Sequence, residues 1–164
     1  MYRTQLTYRQ VRARLEKLIT DGYPCEALVT SVFTAERMLR RTLVRLAVSA
    51  GFTSEQALRL VAGLGEIEAV EEVWSLLDPN ERALVDVIGT ANWRIVREAV
   101  KTRSDMANGL FPISLRQCTR RAHDLIGALD HTGAQLRNVY GYDGWGVHRK
   151  RHVSALHTDP KVPT

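Results

Sequence analysis

The stretch RSDMANG, residues 103 to 109, puts an arginine, a hydroxyl, a carboxylate and an amide beside a glycine at the foot of an apolar-periodic segment. Arg103 brings a permanent, planar charge with several donors. The Asn108 amide donates and accepts hydrogen bonds but does not titrate near neutral pH. The same letters also make an ordinary helix end. Asn-Gly tolerates the left-handed conformation of a C-cap, and an arginine in the last turn faces the negative end of the helix dipole.

Other reactive side chains are sparse. All five histidines fall late: His123, His131, His148, His152 and His157. His148 and His152 are four apart, as two metal ligands on a helix would be. The intervening Arg149, Lys150 and Arg151 repel a cation, however, and Gly146 lies just upstream, so no metal site is expected. Cys25 and Cys118 are far apart and sit in helical patterns with no secretory leader ahead of them. They are expected to be reduced core or boundary thiols, neither a disulfide framework nor a zinc knuckle. No cofactor is expected.

The elements that must position these residues read as helices throughout, with almost no strand-type alternation. Thr7 with Gln10, Thr53 with Gln56 and Ser114 with Gln117 are capping-box pairs, each ahead of an apolar-periodic segment. The first opens a helix carrying Val11, Leu15, Leu18 and Ile19, which Asp21-Gly22-Tyr23-Pro24 interrupts. From Cys25 to about Ala50 a longer helix places Leu28, Val32, Ala35, Leu39, Leu43, Leu46 and Ala47 on one stripe, and Gly51 ends it. A short helix reaches Gly63 or Gly65, and an acidic one spans about Glu66 to Leu77.

Asp78-Pro79 reads as an N-cap with proline at the first helical position, opening a segment that Gly89 closes; Thr90 then caps a helix with Trp93, Val96, Ala99 and Val100 that ends near Arg103. The last long helix carries Leu115, Cys118, Ala122, Leu125, Ile126, Leu129 and Leu136 to about Tyr140, with Gly133 a potential weak point. The expected fold is all-α: an antiparallel bundle of about four long helices with short inserted helices. Residues 1–145 would form the domain, and 146–164 a basic, flexible tail.

A chain of 164 residues has room for one core of this kind and too little for two. With 45% hydrophobic and 25% charged residues, wholesale disorder is excluded. The net charge of +5 suits a polyanionic partner or a plain solvated surface. Charge is uneven, because the Glu66–Asp86 stretch holds seven acids and one base, about −6, which leaves about +11 elsewhere. Opposite faces of this kind allow self-association or steering of an anion. No segment reaches the roughly 18 uninterrupted apolar residues of a spanning helix, so a cytoplasmic protein without membrane contact is expected.

The arrangement around Arg103 resembles the HEPN family of small helical-bundle proteins. Its members carry an arginine, a polar residue, three further positions and a histidine, often followed by glycine, between two bundle helices. Here Arg103 matches the arginine, Ser104 the polar position and Gly109 the trailing glycine. SVFTAERMLRRTL looks like the family's long early helix, and NWRIVREAVKTR, the short turn and SLRQCTRRAHDLIGAL follow in the family's order, so the likeness covers roughly residues 7 to 140.

The resemblance implies a metal-independent endoribonuclease of the toxin, phage-defence or RNA-processing kind. It would be a homodimer with a composite cleft, and its partners would be RNA and a neutralising protein or nucleotidyltransferase. In that chemistry the arginine stabilises charge building on the scissile phosphate, and the histidine, with a pKa of about 6.5, moves a proton. Asn108 stands in the histidine slot, so catalysis is expected to be impaired or lost while RNA binding survives. Whether the asparagine is natural or an inactivating substitution stays open.

Glu36 on the long early helix can orient Arg103 by a charged hydrogen bond, or can pair with Arg40 one turn along its own helix. Arg37, Arg40, Arg41 and Arg45, with Arg116, Arg120 and Arg121, can contact RNA phosphates or form solvated helix faces. Tyr140, Tyr142 and Trp145 can stack on bases but are expected instead to pack the end of the last helix. The alternative to the nuclease reading is a non-enzymatic helical module whose acidic and basic helices bind protein partners.

Overall fold

The computed structural model describes residues 6–109, 112–147 and 150–156. Among them there are seven helices and no strand: α1 Tyr8–Thr20, α2 Pro24–Ser49, α3 Ser54–Ala62, α4 Ile67–Leu77, α5 Leu84–Ile88, α6 Thr90–Asn108 and α7 Leu115–Tyr140. All three capping boxes form. In each, the hydroxyl of Thr7, Thr53 or Ser114 accepts from the backbone N–H three residues on, and the glutamine there accepts from the cap residue's own N–H. A cap of this type contributes about 1 kcal/mol, enough to fix where a helix begins.

Helix α2 forms its most extensive contacts with α7. The two run in the same direction: Cys25 meets Cys118 near their starts, and Met38 lies against Gly133 further along. Helix α1 returns against both, its Tyr8 hydroxyl donating to Asp130 at 2.7 Å and its Arg12 Nε at 2.8 Å. Helix α6 also runs counter to α7, with Glu98 paired to Arg121. The predicted α2 stripe is buried throughout, as are Trp93, Val96, Ala99 and Val100 of α6. Helix α7 runs unbroken through the buried Gly133, where a Cβ would stand in ordinary contact, 3.5 Å from Met38 Cε.

Two local readings need correction. Leu115, placed on the core stripe, is 65% exposed because it is the first residue of α7 and lies beyond the packed length. Asp78 is not an N-cap: it closes α4, its N–H donating to the Trp74 carbonyl at 2.9 Å, and α5 begins only at Leu84. Its buried carboxylate instead accepts from the backbone N–H of Asn80 (2.7 Å) and Arg82 (3.2 Å), from Arg82 Nη2 (3.0 Å) and from the Tyr140 hydroxyl. Burial pushes this carboxyl up, but those hydrogen bonds outweigh it and hold its pKa at about 2. Tyr140 moves the other way, to about 12, through burial and the bond to Asp78.

Beyond α7 the chain folds back across α2. Gly144, at φ +84°, presses on the Met38 backbone so closely that a Cβ would stand 2.7 Å from its carbonyl oxygen. Further on, the Arg151 carbonyl accepts from Ser54 N (2.9 Å), and Gly51 O accepts from Ala155 N (2.8 Å). This part of the segment read as a tail lies against the α2–α3 junction. Among the described residues, no helix is long and apolar enough to cross a membrane.

Candidate functional site

Arg103 is carried on the last turns of α6, which stops at Asn108 because Gly109 adopts a left-handed conformation (φ 63°) and donates to the Met106 carbonyl at 3.2 Å. Asn-Gly therefore does end the helix. Arg103 does not serve that end, however. Its Nη1 reaches across to α2 and donates to both carboxylate oxygens of Glu36, each at 3.0 Å. Both side chains are about one-fifth exposed, at 20% and 19%. Of the two partners open to Glu36 in the sequence, the fold selects Arg103.

The guanidinium also lies over the Phe33 ring, 5.4 Å from its centroid, where the ring's negative face attracts a cation. Nε and Nη2 of Arg103 meet no hydrogen-bonding partner among the described residues. Arg103, Ser104 and Asn108 line one open groove of about 660 Å³, completed by Val29, Phe33, Met106 and Ala107. Phe33 is 57% exposed, a large aromatic left in water. The arrangement can hold an anionic group on the guanidinium with an apolar or aromatic moiety beside it. It contains no group that titrates near neutral pH, since Asn108 is an amide.

Phe33, Val29 and Met106 were missed in the sequence reading. Cys25, Val29 and Phe33 recur every fourth residue on α2, off the main core stripe, and continue to Glu36. That second apolar stripe is the signal that could have found the groove wall.

The arginines expected on RNA separate into two groups. Arg37 lies over the Trp145 ring at 4.8 Å, and its pKa is lowered, first by burial and then by Arg41. Arg41 donates to the Gly146 carbonyl at 3.0 Å, and Arg45 lies over the Tyr142 ring at 5.1 Å. Arg40 closes the end of α3, donating to the carbonyls of Val61 (3.1 Å) and Leu64 (2.7 Å) and to that of Gly65. None of these four lines the Arg103 groove. Arg116 and Arg120 are exposed and line a separate recess with Gln117 at the start of α7. Arg121 is paired with Glu98.

The aromatic residues at and beyond the end of α7 pack as expected. Tyr142 is buried, Trp145 stacks at 5.7 Å on Tyr8, and the Tyr140 hydroxyl accepts from Trp74 Nε1 at 3.1 Å. His123, His131 and His152 are exposed, whereas His148 and His157 lie outside the described residues. No cluster of three or more metal-ligating side chains occurs among the described residues.

A second groove, about 540 Å³, lies along α6 against α4, where Arg94, Arg97 and Lys101 face Glu68 and Glu98. Its cations are matched by acids: Arg97 with Glu68 at 3.6 Å, Arg94 with Glu98 at 4.0 Å, and Lys101 with Asp105 at 3.0 Å. Comparison of the chain with protein-family models, with curated proteins and with solved structures returns no match.

Proposed function

We propose that the chain is a HEPN-type bundle of four long helices, α1 and α6 running counter to the parallel pair α2 and α7, and that the Arg103 groove is its RNA-facing site. The observation that carries this reading is the convergence of Arg103, Ser104 and Asn108 on one open groove, with Glu36 fixing the arginine from the neighbouring helix. The order of α1, α2, α6 and α7, with α6 ending at the motif, supports it. Phosphate would bind the free edge of the guanidinium, and a base would lie on Phe33, whose exposed ring suits stacking.

As written, the site binds RNA and cleaves it poorly or not at all. A positioned acid or base contributes about 10² to 10⁴ in rate, and the Asn108 amide cannot supply it. Two copies would bring their motifs to one composite cleft. A neutralising protein or a nucleotidyltransferase is the kind of partner this reading entails, in a toxin, phage-defence or RNA-processing setting.

The test is incubation of RNA with the purified chain and with Asn108→His, in chelator. Metal-independent cleavage that appears with Asn108→His and disappears when Arg103→Ala is added supports the reading. A second reading, a non-enzymatic module that docks a protein segment, is favoured by the apolar groove wall of Val29, Phe33, Met106 and Ala107. Absence of both cleavage and RNA affinity in either form would favour it.

A further inference from the structure

Cys25 and Cys118 stand 93 positions apart in the chain, yet their sulfur atoms are 2.8 Å apart. The helices that carry them run side by side, so this contact is built into the main packing of the fold. Cys25 follows Pro24 in the first turn of α2, and Cys118 lies in the first turn of α7. Their surroundings differ. Cys25 is partly exposed and lines a shallow groove of about 360 Å³ with Glu26, Val29, Thr30 and Met106, whereas Cys118 is fully buried. The nuclease reading uses neither thiol.

We propose that Cys25 and Cys118 form a dithiol–disulfide pair, oxidised by small-molecule disulfides that enter at Cys25, which staples the start of α2 to the start of α7. Cys25 attacks the incoming disulfide RSSR, forming Cys25–S–S–R and releasing one RSH. The Cys118 thiol then gives up its proton and attacks Cys25 Sγ, forming the internal disulfide and releasing the second RSH. Two protein thiols are oxidised, one external disulfide is reduced, and both protons leave on the released thiols.

The geometry favours the second step over accumulation of the mixed disulfide. The attacking sulfur is held in contact with its target, and a disulfide of about 2.05 Å requires less than about 1 Å of further approach. Burial and the neighbouring Cys25 push the Cys118 thiol up to about 12, which makes it a poor first attacker and leaves entry to Cys25. The proposal is independent of what the Arg103 groove binds.

The test is treatment of the full chain, reduced and desalted, with oxidised glutathione, followed by alkylation and mass spectrometry. Wild type should lose the mass of two hydrogens, resist alkylation at both cysteines and yield a cross-linked peptide pair containing Cys25 and Cys118 within one chain. Cys118→Ser should stop with one glutathione on Cys25, and Cys25→Ser should stay unmodified while folded. The proposal is overturned if wild type keeps both thiols alkylatable, retains a stable glutathione adduct, or cross-links only between chains.

Discussion

The arginines set over aromatic rings along α2 and the one at the foot of α6 differ in what surrounds them. Along α2, Arg37 and Arg45 lie over Trp145 and Tyr142, while Arg41 holds the Gly146 carbonyl. These rings belong to the segment that folds back over α2 after α7. At the foot of α6, Arg103 lies over Phe33, but that ring is 57% exposed and the guanidinium borders an open groove. The first set is occupied in holding chain to chain. The second has one nitrogen committed to Glu36 and an edge left for a ligand. A cation over a ring is therefore no indicator of binding until the other side of the ring is known.

The largest effect expected from breaking this contrast falls on the fold-back. Gly144→Ala would push a Cβ into the Met38 backbone at a positive φ, at a cost of roughly 2 to 5 kcal/mol. A urea titration followed by circular dichroism reads it, and an unchanged midpoint would mean that the segment does not lie on α2.

Next comes the root of that segment, where Tyr140 holds Asp78. The folded-state pKa of Asp78, about 2, lies below its ordinary value of 3.8. The carboxylate therefore contributes stability that is fully present above about pH 4 and is lost as pH falls through 2. That contribution is about 2 kcal/mol. Asp78→Asn should lose a comparable amount at pH 7 and show a flatter stability profile in acid.

A smaller cost, about 1 kcal/mol, is expected for Glu36→Gln, which keeps an acceptor for Arg103 but removes the opposing charge from a pair that is mostly shielded from water. The same denaturation assay resolves it, and no change at all would remove Glu36 as the residue that positions Arg103. Smallest are Arg116→Ala and Arg120→Ala. Both side chains are exposed, so folding should shift by less than about 0.5 kcal/mol. If they meet phosphates, each substitution lowers the salt slope of RNA binding by about one, measurable as affinity against potassium chloride.

Local signals were the legible part of the sequence. The three capping boxes and the α2 core stripe depend on residues within a turn of one another and appear where the letters placed them, whereas α6, expected to end near Arg103, runs on to Asn108 before Gly109 stops it. Asp78-Pro79 carried a local signal as well, but a hydroxyl 62 positions away and the arginine four residues on claim its carboxylate instead. Arg41 looked like a solvated or phosphate-binding face because its partner, Gly146, lies 105 positions downstream. The contact between the two cysteines was hidden for the same reason. For the candidate site, the polar members could be named from their motif and Phe33 from the second apolar stripe of α2, whereas Met106 became visible only when α2 and α6 came together.

The most direct test is a fluorescence-anisotropy titration of labelled single-stranded RNA with wild type, Arg103→Ala and Arg41→Ala side by side. Loss of about tenfold or more in affinity for Arg103→Ala, with Arg41→Ala within about twofold of wild type, is the expected result. Equal binding by wild type and Arg103→Ala, or a larger loss for Arg41→Ala, would contradict the assignment of the groove at Arg103 as the RNA-facing site.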